Sequence, residues 1–101
     1  MSKLILNDEN EFNEKVLNSG DTVLVDFFAY WCGPCQMLAP LMEEIAEEGH
    51  KVYKVNVDEA SALAEKYGIV SIPCVIAFEG GKEKDRIVGV CEKEELIGMV
   101  S

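Results

Sequence analysis

A chain of 101 residues has the length of one domain and no room for a second. Hydrophobic residues make up 49% and charged residues 28%, a globular composition that excludes a disordered chain. Lys and Arg number 9 against 19 Asp and Glu, and a formal charge of -10 repels nucleic acids and anionic membranes, so neither is an expected partner.

Residues 1–8 are too polar for a secretory signal, which needs about 7–15 apolar residues behind a basic start. Later apolar runs are cut by Asp26, Ser71 and Pro73, well short of the ~20 residues of a membrane span. The cytoplasm is the expected location. Residues 3–6 read as an opening strand. Asp8 and Glu11 have capping-box spacing, ahead of a short helix carrying Phe12, Val16 and Leu17. Ser19, Gly20 and Asp21 turn the chain into residues 22–28, a strand apolar on both faces and so expected at the centre of a sheet. A helix then reaches about Glu48, with Leu38, Leu41, Met42 and Ile45 at helical spacing. Gly49 is placed to end it, and Pro40 is expected to kink it. Residues 51–57 form the next strand, and 61–67 a short helix stopped by Gly68. Residues 74–79 and 85–90 read as a hairpin across Gly80 and Gly81, and 92–100 as a closing helix. The order βαβαβαββα calls for an α/β fold, a three-layer α/β/α sandwich with a central mixed β-sheet.

Chemistry concentrates where the buried strand meets the long helix, at Cys32-Gly33-Pro34-Cys35. Two intervening residues put both sulfurs on one helical face within bonding reach, so the pair can cycle between dithiol and disulfide. Cys32 stands at the helix start, where unsatisfied N–H groups and the positive end of the dipole favour a thiolate. Cys35, one turn further in, is expected to be shielded and to keep its proton. Cys32 is then the nucleophile that attacks a substrate disulfide, and Cys35 the thiol that resolves the mixed disulfide. Lowering a thiol pKa from about 8.5 to about 7 corresponds to roughly 2 kcal/mol. The dipole typically supplies only about 0.3–1 kcal/mol, so hydrogen bonds to sulfur must provide much of the rest. The gain in attack rate is only about threefold, because a less basic thiolate is a poorer nucleophile. The larger return is that Cys32 leaves readily when Cys35 displaces it. Asp26 alternates with Leu24 and Phe28 inside an apolar run, which argues for burial and a raised pKa.

Trp31-Cys32-Gly33-Pro34-Cys35, preceded by Val25-Asp26-Phe27-Phe28-Ala29 and followed by Ile72-Pro73, resembles the thioredoxin family. The likeness runs on through Lys54-Val55-Asn56-Val57-Asp58, Tyr67-Gly68-Ile69 and Gly89, as a single domain over residues 1–101. A bare Cys-x-x-Cys is a weak motif; this set in this order is specific. The resemblance implies the thioredoxin fold and a protein-disulfide reductase. It implies no bound cofactor, because the Cys32–Cys35 pair itself carries the two electrons. It also implies a monomer recharged by a thioredoxin reductase, with oxidised clients such as ribonucleotide reductase, peroxiredoxin and methionine sulfoxide reductase. Asp26 matches the family's buried carboxylate beneath the resolving cysteine, thought to take or relay its proton, and Lys54 matches the lysine near it. Pro73 matches a cis-proline beside the disulfide, where the preceding backbone pairs with a client segment like an added strand. Trp31, Gly33, Pro34, Ile72, Gly89 and Val90 match the rim that contacts clients. The chain departs from the pattern at Phe28, where many members carry a second tryptophan, at Cys74, where threonine is common, and at Val90-Cys91.

Blander readings of the same residues stand beside these. The same fold can run in reverse as a disulfide oxidase or isomerase, and a rim without turnover would serve as a non-catalytic adaptor. Half a zinc site would need further ligands, but no second Cys-x-x-Cys exists and His50 is the only histidine, so no metal is expected. Cys74 and Cys91 read most simply as small, partly buried hydrophobes, although Cys74 beside Pro73 could be a third thiol within reach of Cys32 or a client. Lys54 alone would be a solvated strand residue. Pro73 alone would be a trans-proline, since only about 5–6% of such bonds are cis.

Overall fold

The computed structural model describes residues 4–100. Its elements are α1 (Glu9–Phe12, continued by a π turn over Asn13–Leu17), β1 (Val23–Phe28), α2 (Gly33–Glu47), β2 (Lys51–Asn56), α3 (Ser61–Lys66), β3 (Cys74–Glu79), β4 (Lys82–Val88) and α4 (Lys93–Met99). The strands form one sheet in the order β2-β1-β3-β4. β1 runs parallel to β2 and antiparallel to β3, and β3 antiparallel to β4, so the sheet is mixed as expected.

β1 sits at the centre because every one of its residues is buried. Its alternation sends Val23, Val25 and Phe27 to one face, against Phe12 and Val16 of the first helical segment and Leu63 of α3. Phe12 there meets Phe78 edge-on at 5.4 Å between ring centres, and Tyr67 meets the same ring at 5.2 Å. Leu24 points to the other face, against Leu38, Met42 and Ile45 of α2 and Leu96 and Met99 of α4. Each such fully buried side chain contributes about 1.5–3 kcal/mol, which fixes the register of the whole central strand. Among the described residues, no helix is long and apolar enough to cross a membrane.

Three details differ from the sequence reading. Of the expected strand at residues 3–6, Lys3 lies outside the described residues. The remainder is an isolated parallel bridge of Ile5 with Lys54, with Leu6 N–H donating to Lys54 O at 2.8 Å. The chain leaves the sheet edge at once because Asp8 already caps α1: Glu11 N–H donates to Asp8 Oδ1 at 2.8 Å, while Asn7 N–H donates to Glu11 Oε1 at 2.9 Å. The hairpin is tighter than expected, since Gly80 and Gly81 adopt φ of 61° and 80° and form the whole turn. β4 therefore begins at Lys82 and ends at Val88, leaving Gly89 and Val90 in the loop beyond it. Pro40 lies inside α2, which is continuous from Gly33 to Glu47.

Candidate active site

The site forms where β1 ends and α2 begins. Cys32 is the N-cap of α2, in extended backbone at φ -91° and ψ 111°, and its sulfur accepts a hydrogen bond from Cys35 N–H at 3.2 Å. Sulfur here takes the place that a Ser or Asp oxygen fills in an ordinary cap. Pro34, in the first turn, has no N–H to offer, so the helix start directs its donor at the Cys32 sulfur. Cys32 and Cys35 are joined by a disulfide, with Cα atoms 5.3 Å apart. The expected contrast in exposure is slight, because closing the disulfide tucks both residues in, at 5% and 3% exposed. The asymmetry between the two sulfurs lies in bonding: Cys32 holds the cap position, and Cys35 stands one turn inside the helix.

Asp26 is fully buried on the α2 face of β1, and among the described residues neither carboxyl oxygen finds a hydrogen-bond partner. Burial pushes its pKa from 3.8 up to about 7, and the positive charge of Lys54 opposes only part of that rise. Lys54 is Asp26's register partner on β2, so the two side chains share a face. Lys54 is itself buried, with its ammonium 4.7 Å over the Phe28 ring. A cavity of about 230 Å³ opens beside Cys35, lined among others by Phe28, Tyr30, Glu43 and Lys54. It has room for several waters, enough for a proton to leave the buried groups.

Across from the disulfide, the Ile72–Pro73 peptide is cis, and Ile72 O lies 3.9 Å from Cys32 Sγ. Pro73 O accepts from Gly89 N–H at 2.8 Å, and Gly89 holds φ at 93°, a conformation that favours glycine. Around this corner Trp31 and Val90 are exposed, and Gly33 has open space beside it. Asp58, part of the stretch that carries the resemblance, was given no role by the sequence. Its Oδ2 accepts from Trp31 Nε1 at 2.7 Å, and its own N–H donates to Asn56 Oδ1 at 2.9 Å. The available signal was an acid just past β2, at the same end of the sheet as the cysteines.

Cys74 lies among Phe27, Ile76 and Phe78, on the sheet face opposite Asp26 and apart from the cluster that holds Cys32 and Cys35. Burial pushes the Cys74 thiol up. Burial first, then Glu95, Glu92 and Asp26, push Cys91 up as well. Both thiols are therefore poor nucleophiles, which weighs against a third redox thiol. In the oxidised protein at pH 7, iodoacetamide should label Cys91 slowly and Cys74 more slowly still, each well below its rate in urea. Peptide mass spectrometry reads this directly, and rapid native labelling of Cys74 would contradict it. Among the described residues, no group of three or more His, Cys, Asp or Glu is arranged to hold a metal ion.

A Cys-x-x-Cys disulfide capping a helix at the end of a mixed sheet, opposite a cis-proline, defines a thiol–disulfide oxidoreductase. The family model described as Thioredoxin matches residues 3–101. The chain is 47% identical over 96 residues to the thioredoxin of Rickettsia bellii, covering 92% of this chain and 91% of that one. It is 50% identical over 91 residues to thioredoxin 1 of a Nostoc strain, covering 87% and 85%. It spans about half the length of its chloroplast relatives, 47% of thioredoxin M4 of Arabidopsis thaliana and 55% of the M-type protein of Pisum sativum. Among solved structures, a point-mutant thioredoxin from Halobacterium salinarum matches with a TM-score of 0.88 at 37% identity, over 95% of this chain and 85% of that one. The chain belongs to the thioredoxin family. Its activity is dithiol–disulfide exchange through Cys32 and Cys35.

Proposed function

We propose that the chain works as a reductant of protein disulfides, with a defined division of labour around Cys32. The Cys32 thiolate attacks one sulfur of a client disulfide, forming a mixed disulfide and expelling a client thiolate, which takes a proton from water. Cys35 gives its proton to the Asp26 carboxylate, and its sulfur attacks Cys32. The second client thiolate leaves and is protonated in turn. Two electrons pass to the client and the Cys32–Cys35 disulfide remains. Lys54 steadies the charge on Asp26. Trp31, Gly33, Pro34, Ile72, Pro73, Gly89 and Val90 form the rim that receives the client, whose chain pairs with the Ile72 backbone as an added strand. The dithiol is the only electron store this scheme needs, and a thioredoxin reductase restores it. Ribonucleotide reductase, peroxiredoxin and methionine sulfoxide reductase are the expected kinds of client, met by a monomer in the cytoplasm.

The observation that carries this reading is the geometry at the sulfur: Cys35 N–H donates to Cys32 Sγ at 3.2 Å, and the Ile72 backbone a client strand would pair with lies beside it, its O 3.9 Å away. A low-pKa attacking sulfur is equally useful to an oxidase, so the potential decides the direction. Titration of the oxidised protein against glutathione should place the Cys32–Cys35 couple well below about −180 mV, where reductants lie. A value near or above that would favour the oxidase or isomerase reading.

A further inference from the structure

The Ile72 edge must be held in a fixed place to meet a client, yet the segment that carries it has few bonds of its own. After α3, Gly68 N–H donates to Glu65 O at 3.1 Å and Ile69 N–H to Ala64 O at 2.9 Å. Beyond those, no backbone N–H of Val70, Ser71 or Ile72 donates to another described residue, and Val70 is 96% exposed. The segment therefore hangs between Tyr67 before it and the Ile72–Pro73 corner after it, where Pro73 O accepts from Gly89 N–H at 2.8 Å and Ile72 packs on the cluster of Cys32 and Cys35.

One side chain holds the first of these. Arg86 Nη2 donates to Tyr67 O at 2.8 Å, and the guanidinium charge works against the burial of the Cys74 thiol. Tyr67 O lies at the C-terminal end of α3, where a cation is favourably placed. Glu83 fixes the guanidinium by a two-point grip, Arg86 Nε to Oε2 at 2.7 Å and Nη2 to Oε1 at 2.8 Å. That grip is not what a regular strand would allow, because residues three apart on a strand point to opposite faces. Between Ala77 and Phe78 the register shifts, so that Ile76 faces Arg86 while Phe78 faces Glu83. The bulge puts both charged residues on the face of Cys74, Ile76 and Phe78, against Tyr67.

We propose that Arg86 is a positioning residue for client binding: gripped by Glu83, it ties Tyr67 to β4 and so sets where the Ile72 edge meets a client strand. This rests on the reading that clients pair with the Ile72 backbone. Lysine is no substitute, since a single ammonium cannot keep the two-point grip on Glu83 and the bond to Tyr67 O together.

The test compares a folded protein disulfide with a bis-aryl disulfide too small to pair with Ile72. Arg86→Met should raise KM for the protein disulfide about three- to tenfold, with kcat and the aryl reaction both within about twofold of the parent. Arg86→Lys should not restore KM, and Glu83→Gln should move it the same way by less, which keeps the test alive if Arg86→Met fails to fold. Equal slowing on both disulfides, or no change in KM for either variant, overturns the proposal. Amide hydrogen exchange on a mixed disulfide between the Cys35→Ser protein and a client peptide separates the two layers. Protection of the Ile72 amide that disappears in Arg86→Met, with the disulfide intact, is the expected result. Protection that persists there overturns the clamp and leaves strand pairing standing. Absence of protection even with Arg86 present sinks strand pairing, and the clamp with it.

Discussion

Cys35→Ser should stall the protein with its client attached, as an adduct through Cys32 that survives denaturation without reductant and dissolves in dithiothreitol. The reason lies in which atoms the substitution removes. The hydrogen bond that activates Cys32 comes from the backbone N–H of residue 35, not from its thiol. Serine keeps that N–H, so Cys32 remains an able nucleophile, while the sulfur that would resolve the mixed disulfide is gone. Attack proceeds and release does not. Cys32→Ser removes the attacking sulfur instead, and turnover should fall on the order of 10³-fold or more, the scale of losing a catalytic nucleophile. No adduct should form. Mass spectrometry of trapped species identifies both the client and the bonded residue. An adduct through Cys35 in the Cys32→Ser protein would reverse the assigned roles.

The features most legible in the sequence were those that burial or covalent chemistry imposes locally. β1 could be placed at the centre because Leu24, Phe27 and Phe28 leave neither face polar, and α2 because Leu38, Met42 and Ile45 recur on one stripe. The start of β4 was hidden because an edge strand can carry charge on both faces, and Lys82 and Glu83 read as loop. The strand at residues 3–6 shrank to one bridge because pairing depends on where α1 is capped, a choice made by Asp8. The grip of Glu83 on Arg86 was out of reach, since it exists only after a bulge re-phases the strand. The bond from Trp31 to Asp58 joins residues 27 apart and leaves no periodic trace. Shielding of Cys35 was expected from its place one turn into the helix. The near-equal burial of Cys32 follows from the closed disulfide, which no pattern of residues reveals.

Asp26→Asn should stabilise the oxidised protein above neutral pH and, in the same stroke, slow its chemistry. In the folded chain Asp26 holds its proton up to about 7, against 3.8 for an ordinary aspartate. Between those two values the folded state binds more protons than the unfolded one, so stability falls as pH rises through the window and levels off above it. A pKa raised from 3.8 to about 7 is worth about 4 kcal/mol at its full extent. Asparagine keeps the shape and cannot ionise. Its advantage should be near zero at pH 4 and grow to about 4 kcal/mol by pH 8, more than about 15 °C in Tm for a domain of this size. Urea unfolding of both oxidised proteins from pH 4 to 9 gives the curves, and parallel curves would show that Asp26 is not the group responsible. The kinetic arm runs the other way. Only the ionised carboxylate can take the proton from Cys35, so resolution of a mixed disulfide should quicken as pH rises through about 7 in the parent and lose that rise in Asp26→Asn. Positioned bases typically contribute about 10²–10⁴-fold, so a loss of about tenfold or more at pH 8 is expected even with water in the neighbouring cavity. The buried charge that costs stability is thus the same charge that frees Cys35 to react. A stabilised variant that resolved at the parent rate would break that link, because burial would then penalise a carboxylate with no part in the proton's path.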